Sequence, residues 1–345
     1  MKLIRFQSTQ NSNQTIELEC DEGVSVLDAL LAANVKIPHS CRAGLCQACL
    51  CQTNDVSTLN PEAVEGLSDL QRRSNQFLAC QCIPAKSLEV CLPDHNSDWL
   101  SELVGKRYLS DSIVELSFQA EGRWDLGQHV LLWMDDIHAR PYSASNVYSA
   151  DQMVSFLVRR HPQGLLSRWC YDQLQVGERV RMSSPQGHFR LGQEVGNGVV
   201  MIAQGSALGV AVGLSQQALT LEPEVCVDLF WVGDDVQVDD SKAQAAFAGL
   251  ESSQTLLSYF ADRLEGVTVH QRDLDESCSG AARPAGHVEA QELLSRSEVA
   301  LRGKKIFIVG GERFVTEMSR VCFFSGAART DIVTEVFLCG NGDDH

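Results

Sequence analysis

Three cysteines stand in one short loop, Cys41-Arg42-Ala43-Gly44-Leu45-Cys46-Gln47-Ala48-Cys49, and a fourth follows at Cys80. Four residues separate the first pair, two the second and thirty the last, which is the plant-type spacing of ligands to a [2Fe–2S] cluster. Four thiolates must converge on two irons, so the loop that carries three of them has to wrap the cluster closely. Ala43, Gly44 and Ala48 are small enough for backbone N–H groups to approach the sulfurs and tune the potential. A zinc site would more often present two short Cys-x2-Cys pairs. Gln47 is the odd residue, standing where glycine would make the easier turn. The chemistry these residues suit is one-electron transfer.

Two further groups have side chains suited to a phosphorylated ring system. In Arg140-Pro141-Tyr142-Ser143, a guanidinium can neutralise a pyrophosphate through forked hydrogen bonds, a phenol can pack on a flat ring, and the Ser143 hydroxyl can donate to a ring heteroatom. In His161-Pro162-Gln163-Gly164-Leu165-Leu166-Ser167, Gly164 permits close approach and a helix expected through Arg168-Trp169-Cys170-Tyr171 would offer N–H groups to phosphate. Together they describe a cradle for a flavin dinucleotide. Each alone is weak, because a short Arg/Tyr/Ser group is usually surface strand. His129, His161 and His188 have no metal-ligand spacing and read as satisfied structural histidines.

A third group is built from glycines. Gly205-Ser206 follows the apolar run Val199–Ala203, and Gly310-Gly311 follows Ile306–Val309. Ligands of parallel α/β sheets bind at such carboxyl ends, so these turns are a candidate ligand site. Asp234, Asp235, Asp239 and Asp240 come shortly after the next strand. Acidic side chains there favour the ribose hydroxyl of NADH over the 2′-phosphate of NADPH; a solvated acidic loop is the equal alternative.

The elements that must position these groups are legible from periodicity. Leu3–Phe6 and Thr15–Glu19 read as paired strands, a helix follows Ser25 as cap, and strands recur at 77–79 and 87–92. Pro93–Asp98 is polar and marks a boundary. Short strands at 106–109, 113–118, 129–133, 153–159 and 179–182 suggest a small barrel or sandwich. From Gly198 apolar strands at 199–203, 225–232, 267–270 and 306–309 alternate with helical stretches, the pattern of a parallel sheet covered on both faces. Residues 272–286 read as a polar surface loop and Gly340–His345 as a disordered tail.

The chain has 345 residues, 44% of them hydrophobic, enough for two or three domains with sizeable cores. With 28 basic and 45 acidic residues its net charge is −17, which disfavours nucleic acid and anionic membrane as partners. There is no apolar run of membrane-spanning length, and the N-terminus runs straight into strand-like sequence. Thirteen cysteines without a secretory leader point to a reducing compartment and a cytoplasmic location. Cys51, Cys82 and Cys91 read as buried packing thiols, and Cys170, Cys226 and Cys322 as spare free ones.

Residues 1–93 resemble the plant-type ferredoxins, whose fold is a β-grasp. The Arg140 and Gly164 groups, followed by Gly177-Glu178-Arg179-Val180 and Ser184–Phe189, resemble the flavin domain of the ferredoxin–NAD(P) reductase superfamily. The resemblance implies an antiparallel barrel over 99–192 that holds FAD at Arg140, Tyr142, Ser143, Gly164, Leu165, Leu166 and Ser167. It also implies an α/β nucleotide domain over 198–345, with Glu335 and Phe337 of the closing strand reaching the flavin and with Ser143 and Glu335 as the catalytic residues. Two turns depart from the family pattern. Gly205-Ser206-Ala207-Leu208-Gly209 lacks the usual second glycine and proline, and Val309-Gly310-Gly311 lacks a cysteine and proline. The order of domains resembles the reductase components of bacterial oxygenase systems and implies electron flow from NADH through FAD and the cluster to a partner protein such as an oxygenase. The altered turns leave open an electron-transfer or interaction protein that does not turn over NAD(P)H, and a cluster potential near about −400 mV would also permit the reverse direction.

Overall fold

The computed structural model describes residues 2–7, 15–93, 98–119, 125–146, 153–192, 195–233, 256–257, 259–271 and 286–337. Asp234, Asp235, Asp239, Asp240, nearly all of the 272–286 stretch and the Gly340–His345 tail lie outside them. The chain divides into two compact units: residues 1–100 with 130–141 and 180–184, and residues 101–129 with 142–179 and 185–345.

In the first unit, strands β1 (Lys2–Gln7), β2 (Thr15–Cys20), β3 (Leu50–Gln52), β4 (Gln76–Leu78) and β5 (Leu88–Cys91) form a sheet in the order β2-β1-β5-β3-β4. β1 is antiparallel to β2 and parallel to β5, with Ile4 beside Leu88 and Phe6 beside Val90. Alternation along β1 sends Ile4 and Phe6 inward, where they meet Leu27 and Leu30 of helix α1 (Val26–Ala32) and the buried Phe77 and Leu78. Ser25 caps α1 by accepting from the Asp28 N–H at 3.1 Å. A second short helix, α2 (Asp69–Arg73), opens with a full capping box between Ser68 and Gln71. Cys51 and Cys82 are buried as expected, whereas Cys91 is only half-buried, its thiol 3.8 Å from the Gln52 carbonyl.

A six-stranded antiparallel sheet runs in the order β10-β7-β6-β11-β8-β9, from β6 (Trp99–Tyr108), β7 (Ile113–Gln119), β8 (His129–Trp133), β9 (Ala139–Ser143), β10 (Met153–Arg159) and β11 (Arg179–Met182). The sequence pattern exposes only the last part of β6. Its first half is hidden because the inward position is a serine, Ser101, whose hydroxyl bonds the Gln119 carbonyl, and because the pairing with β7 shifts register between Leu103 and Gly105.

The remaining strands are all parallel, in the order β14-β13-β12-β15-β16, with β12 (Val199–Gln204), β13 (Val227–Val232), β14 (Val267–His270), β15 (Lys305–Gly310) and β16 (Ile332–Val336). β12, β13 and β15 are buried along almost their whole length, which is why they read as unbroken apolar runs. Helix α4 (Leu208–Leu221) follows β12, and α5 (Gly286–Arg296) and α6 (Glu312–Phe324) flank β15 in the chain. Gly209 and Gly213 lie on one face of α4: a Cβ at Gly209 would fall 2.8 Å from both Ser145 and Leu157, and one at Gly213 would fall 3.3 Å from the Ser145 carbonyl. They let the helix sit against β10 and the end of the β9 strand. Among the described residues no helix is long and apolar enough to cross a membrane.

Candidate functional site

The four cysteines predicted as ligands fall into two pairs. Cys41 and Cys46 hydrogen-bond through their side chains, and so do Cys49 and Cys80. Among the described residues no group of three or more His, Cys, Asp or Glu side chains converges as a single ion would need. Two pairs of thiols suit two irons. The loop aims its amides at sulfur: Ala43 and Cys46 donate to Cys41 Sγ at 3.3 and 3.4 Å, and Cys41 donates to Cys46 Sγ at 3.4 Å. Hydrogen bonding from Cys46 brings the Cys41 thiol down to about 5, and that from Cys49 brings Cys80 down to about 7. Their partners Cys46 and Cys49 are pushed well up, by the same hydrogen bonds and by burial. Four neighbouring thiols with amides directed at sulfur are the donor set a [2Fe–2S] cluster requires.

The surrounding elements hold these sulfurs in place. The first two N–H groups of α1, at Val26 and Leu27, donate to the carbonyls of Cys82 and Ala79 at 2.8 and 3.0 Å, so the helix clasps the segment that carries Cys80. The Ala79 N–H reaches the Cys49 carbonyl at 3.0 Å and ties the two halves of one thiol pair. Gln81 bonds the Arg42 carbonyl at 3.1 Å and approaches Cys80 Sγ at 3.6 Å. Gly44 takes φ +77°, and a Cβ there would press on Gln81 at 3.0 Å. Gln47, the odd residue of the loop, takes φ +57° and is buried. Its amide donates to the Gly66 carbonyl at 3.0 Å and accepts from Gln71 Nε2 at 2.8 Å. Cys46 and Ala48 pack on Leu131, Trp133 and Ala139, and Arg140 Nη1 donates to the His39 carbonyl at 3.2 Å, two residues before Cys41.

The hairpin of β8 and β9 fixes Ser143. The Ala144 N–H bonds the Gln128 carbonyl at 3.3 Å, a register that sets Ser143 opposite His129. Ser143 and His129 are both buried and Tyr142 is half-buried. Gly164 caps a helix of only four residues, α3 (Leu165–Arg168), which widens into a π turn over Trp169–Gln173. Its dipole is correspondingly small, and what the turn offers an anion is close approach and first-turn N–H groups. The cradle needs glycine, since a Cβ would stand 2.5 Å from Ser167 Oγ. The Ser167 hydroxyl accepts from the His161 N–H at 3.1 Å and shapes the turn, while the Leu166 side chain belongs to the core. The Gly164 cradle and the buried Ser143 hydroxyl are the kind of groups a flavin dinucleotide uses.

The order β14-β13-β12-β15-β16 reverses between β12 and β15, and ligands of such sheets bind outside the strand ends at this switch point. Gly205, at φ +58°, and Ser206 make the turn after β12; Gly310 and Gly311 make the turn after β15. Gln204, which the sequence reading passed over, joins them: its Oε1 accepts from the Gly311 N–H at 3.2 Å. β16 pairs with β15 so that Glu335 lies beside Val309, and the Phe337 N–H donates to the Gly310 carbonyl at 2.7 Å. The two residues expected on the closing strand therefore arrive at the Gly310 turn. Glu335 Oε1 also comes within 3.3 Å of His129 Nδ1. His129 is not a satisfied structural histidine, because among the described residues neither ring nitrogen has a hydrogen-bond partner.

Residues 9–85 match the 2Fe-2S iron-sulfur cluster binding domain family and residues 101–191 the oxidoreductase FAD-binding domain family. The chain is 27% identical over 314 residues to the ferredoxin–NAD(+) reductase component of the alkene monooxygenase system of Xanthobacter autotrophicus, covering 86% of this chain and 90% of that one. It is 30% identical over 224 residues to the reductase subunit of the aromatic O-demethylase of an Amycolatopsis species, covering 60% and 66% of the two. The crystal structure of an Amycolatopsis cytochrome P450 reductase superposes with a TM-score of 0.59 at 22% identity, over 97% of this chain and 98% of that one. A ferredoxin reductase in carbazole 1,9a-dioxygenase superposes with a TM-score of 0.58 at 21% identity, with the same coverage. These likenesses carry the fold: a ferredoxin domain, an antiparallel flavin domain and a parallel-sheet nucleotide domain.

Proposed function

The chain belongs to the ferredoxin–NAD(P) reductase superfamily, with an N-terminal plant-type ferredoxin domain, and from that premise we propose that it passes electrons from NADH through FAD and a [2Fe–2S] cluster to a partner protein such as an oxygenase. The domains are residues 1–93 for the cluster, 99–192 for FAD and 198–345 for the nicotinamide dinucleotide. When bound, FAD supplies the exchange between the two electrons of a hydride and the single electrons that a [2Fe–2S] centre accepts.

The residues divide the remaining work. Cys41, Cys46, Cys49 and Cys80 hold the cluster, and the amides of Ala43, Cys41 and Cys46 temper its charge. Arg140 neutralises pyrophosphate, the first-turn N–H groups at Gly164–Ser167 support it, and Tyr142 and Phe337 shield the ring from water. Ser143 donates a hydrogen bond from its buried hydroxyl, and Glu335 presents its carboxylate beside it. Gly205, Ser206, Gly310 and Gly311 leave room for the dinucleotide at the switch point. The described cysteines are free thiols, which suits the reducing cytoplasm.

The observation that carries the reading is the arrival of Glu335 and Phe337 at the Gly310 turn, in a chain whose cysteines also form two amide-wrapped pairs. A second reading, a carrier that no longer turns over NAD(P)H, is favoured by Gln204, whose carbonyl occupies the Gly311 N–H at the nucleotide turn. Anaerobic titration of the FAD- and cluster-loaded chain with NADH, and separately NADPH, separates the two. Bleaching of flavin and cluster by near-stoichiometric NADH is expected. No bleaching with either nucleotide, while dithionite bleaches both centres, selects the carrier.

A further inference from the structure

His129 has the surroundings of a working residue. It is 5% exposed, and among the described residues neither ring nitrogen meets a hydrogen-bond partner. A buried imidazole left in that state carries an uncompensated desolvation penalty, so a histidine kept only for packing would be better replaced by leucine. Its backbone is fixed on both sides: His129 exchanges two hydrogen bonds with Gln186, at 3.0 and 2.8 Å, and faces Ser143 across the hairpin. Gly187, at φ +96°, passes the ring without a side chain, and a Cβ there would stand 3.0 Å from Nδ1. That gap leaves the ring edge open to the Glu335 carboxylate, whose Oε1 is 3.3 Å from Nδ1 without hydrogen-bond geometry. The buried side-chain oxygen of Gln186 also lacks a partner among the described residues.

We propose that His129 is a positioning residue for hydride transfer: its Nδ1–H holds the Glu335 carboxylate in place beside Ser143, so that hydroxyl and carboxylate act on the flavin as a pair. The proposal rests on the reading that Ser143 and Glu335 serve the flavin. Strand β16 ends at the Gly310 turn, and without a partner from the barrel its carboxylate would be free to rotate toward solvent. A short reorientation removes a group from reacting distance, and misplacement by about 1 Å costs on the order of 100-fold in rate.

The test uses the full chain with His129→Gln, His129→Leu and Glu335→Gln, singly and combined. In the FAD-free, 15N-histidine-labelled protein, Glu335→Gln is expected to move the His129 ring-nitrogen resonances; unmoved resonances overturn the pair. In the FAD-loaded protein, His129→Leu is expected to slow flavin reduction by NADH about 10- to 100-fold with cluster content unchanged. His129→Gln, which still carries an N–H donor, should recover most of that loss. His129→Leu combined with Glu335→Gln should be no slower than the slower single variant, as for residues that act as a unit. A His129→Leu protein that reduces its flavin at the wild-type rate overturns the proposal. If NADH does not reduce wild-type flavin at all, the wider reading fails instead, and the ring-nitrogen spectrum still decides whether His129 holds Glu335.

Discussion

Replacing Gln47 by glycine should weaken the cluster loop, although its left-handed backbone would suit glycine better. At φ +57° a non-glycine residue carries a penalty of about 1–2 kcal/mol, which Gln47→Gly removes. The substitution also loses two hydrogen bonds, to the Gly66 carbonyl and from Gln71 Nε2, at about 1 kcal/mol each. It leaves the Gln71 amide and the Gly66 carbonyl without their Gln47 partner and frees the unfolded chain by up to about 1 kcal/mol. The expected net loss is about 1–2 kcal/mol. Gln47→Ala keeps the strained backbone and loses the same bonds, so it should lose more, about 2–3 kcal/mol. Gln71 is also a member of the capping box that starts α2, so the damage extends beyond the loop. First-order decay of the cluster absorbance at a fixed urea concentration reads the effect. Gln47→Gly should shorten the half-life about 5- to 30-fold, and Gln47→Ala further. A Gln47→Gly protein that holds its cluster as long as the wild type would refute the reasoning.

Two other perturbations follow from the same contacts. Cys80→Ser should abolish the cluster absorbance while FAD still binds, measured by visible spectra and flavin fluorescence; an intact cluster would refute the ligand assignment. Asp228 is buried between Lys304 Nζ at 2.9 Å and His270 Nε2 at 3.0 Å. Burial pushes its carboxyl up, but the hydrogen bonds from Lys304 and His270 outweigh this and hold it below the usual range. Its contribution is therefore complete above the unfolded value of about 4 and is lost as pH falls through the folded value. Asp228→Asn should cost about 3 kcal/mol in urea unfolding at pH 7, and the gap to wild type should close below about pH 4; a gap constant with pH would contradict the pairing.

What the sequence disclosed was the chemistry that depends on local spacing. The cysteine loop, the Ser25 cap and the apolar strands 199–203 and 306–309 are visible because each is set by neighbours in the chain. The Ser68–Gln71 capping box carried an equally local signal that the periodicity reading did not use. Gln47, Gln204 and His129 were opaque for a different reason. Their partners, Gln71, Gly311 and Glu335, lie 24, 107 and more than 200 residues away, and no local pattern reports a tertiary contact. β6 was half hidden because an inward serine breaks the alternation on which strand reading depends.

The claim at the centre of this account is that electrons reach Cys41, Cys46, Cys49 and Cys80 only by way of the flavin held at Arg140–Ser143 and Gly164–Ser167. Stopped-flow mixing with NADH of FAD-depleted, cluster-loaded protein, beside the same protein reloaded with FAD, tests it most directly. The cluster should stay oxidised without FAD, although dithionite reduces it, and should bleach after the flavin once FAD is restored. Bleaching of the cluster by NADH at the same rate in both samples would contradict it.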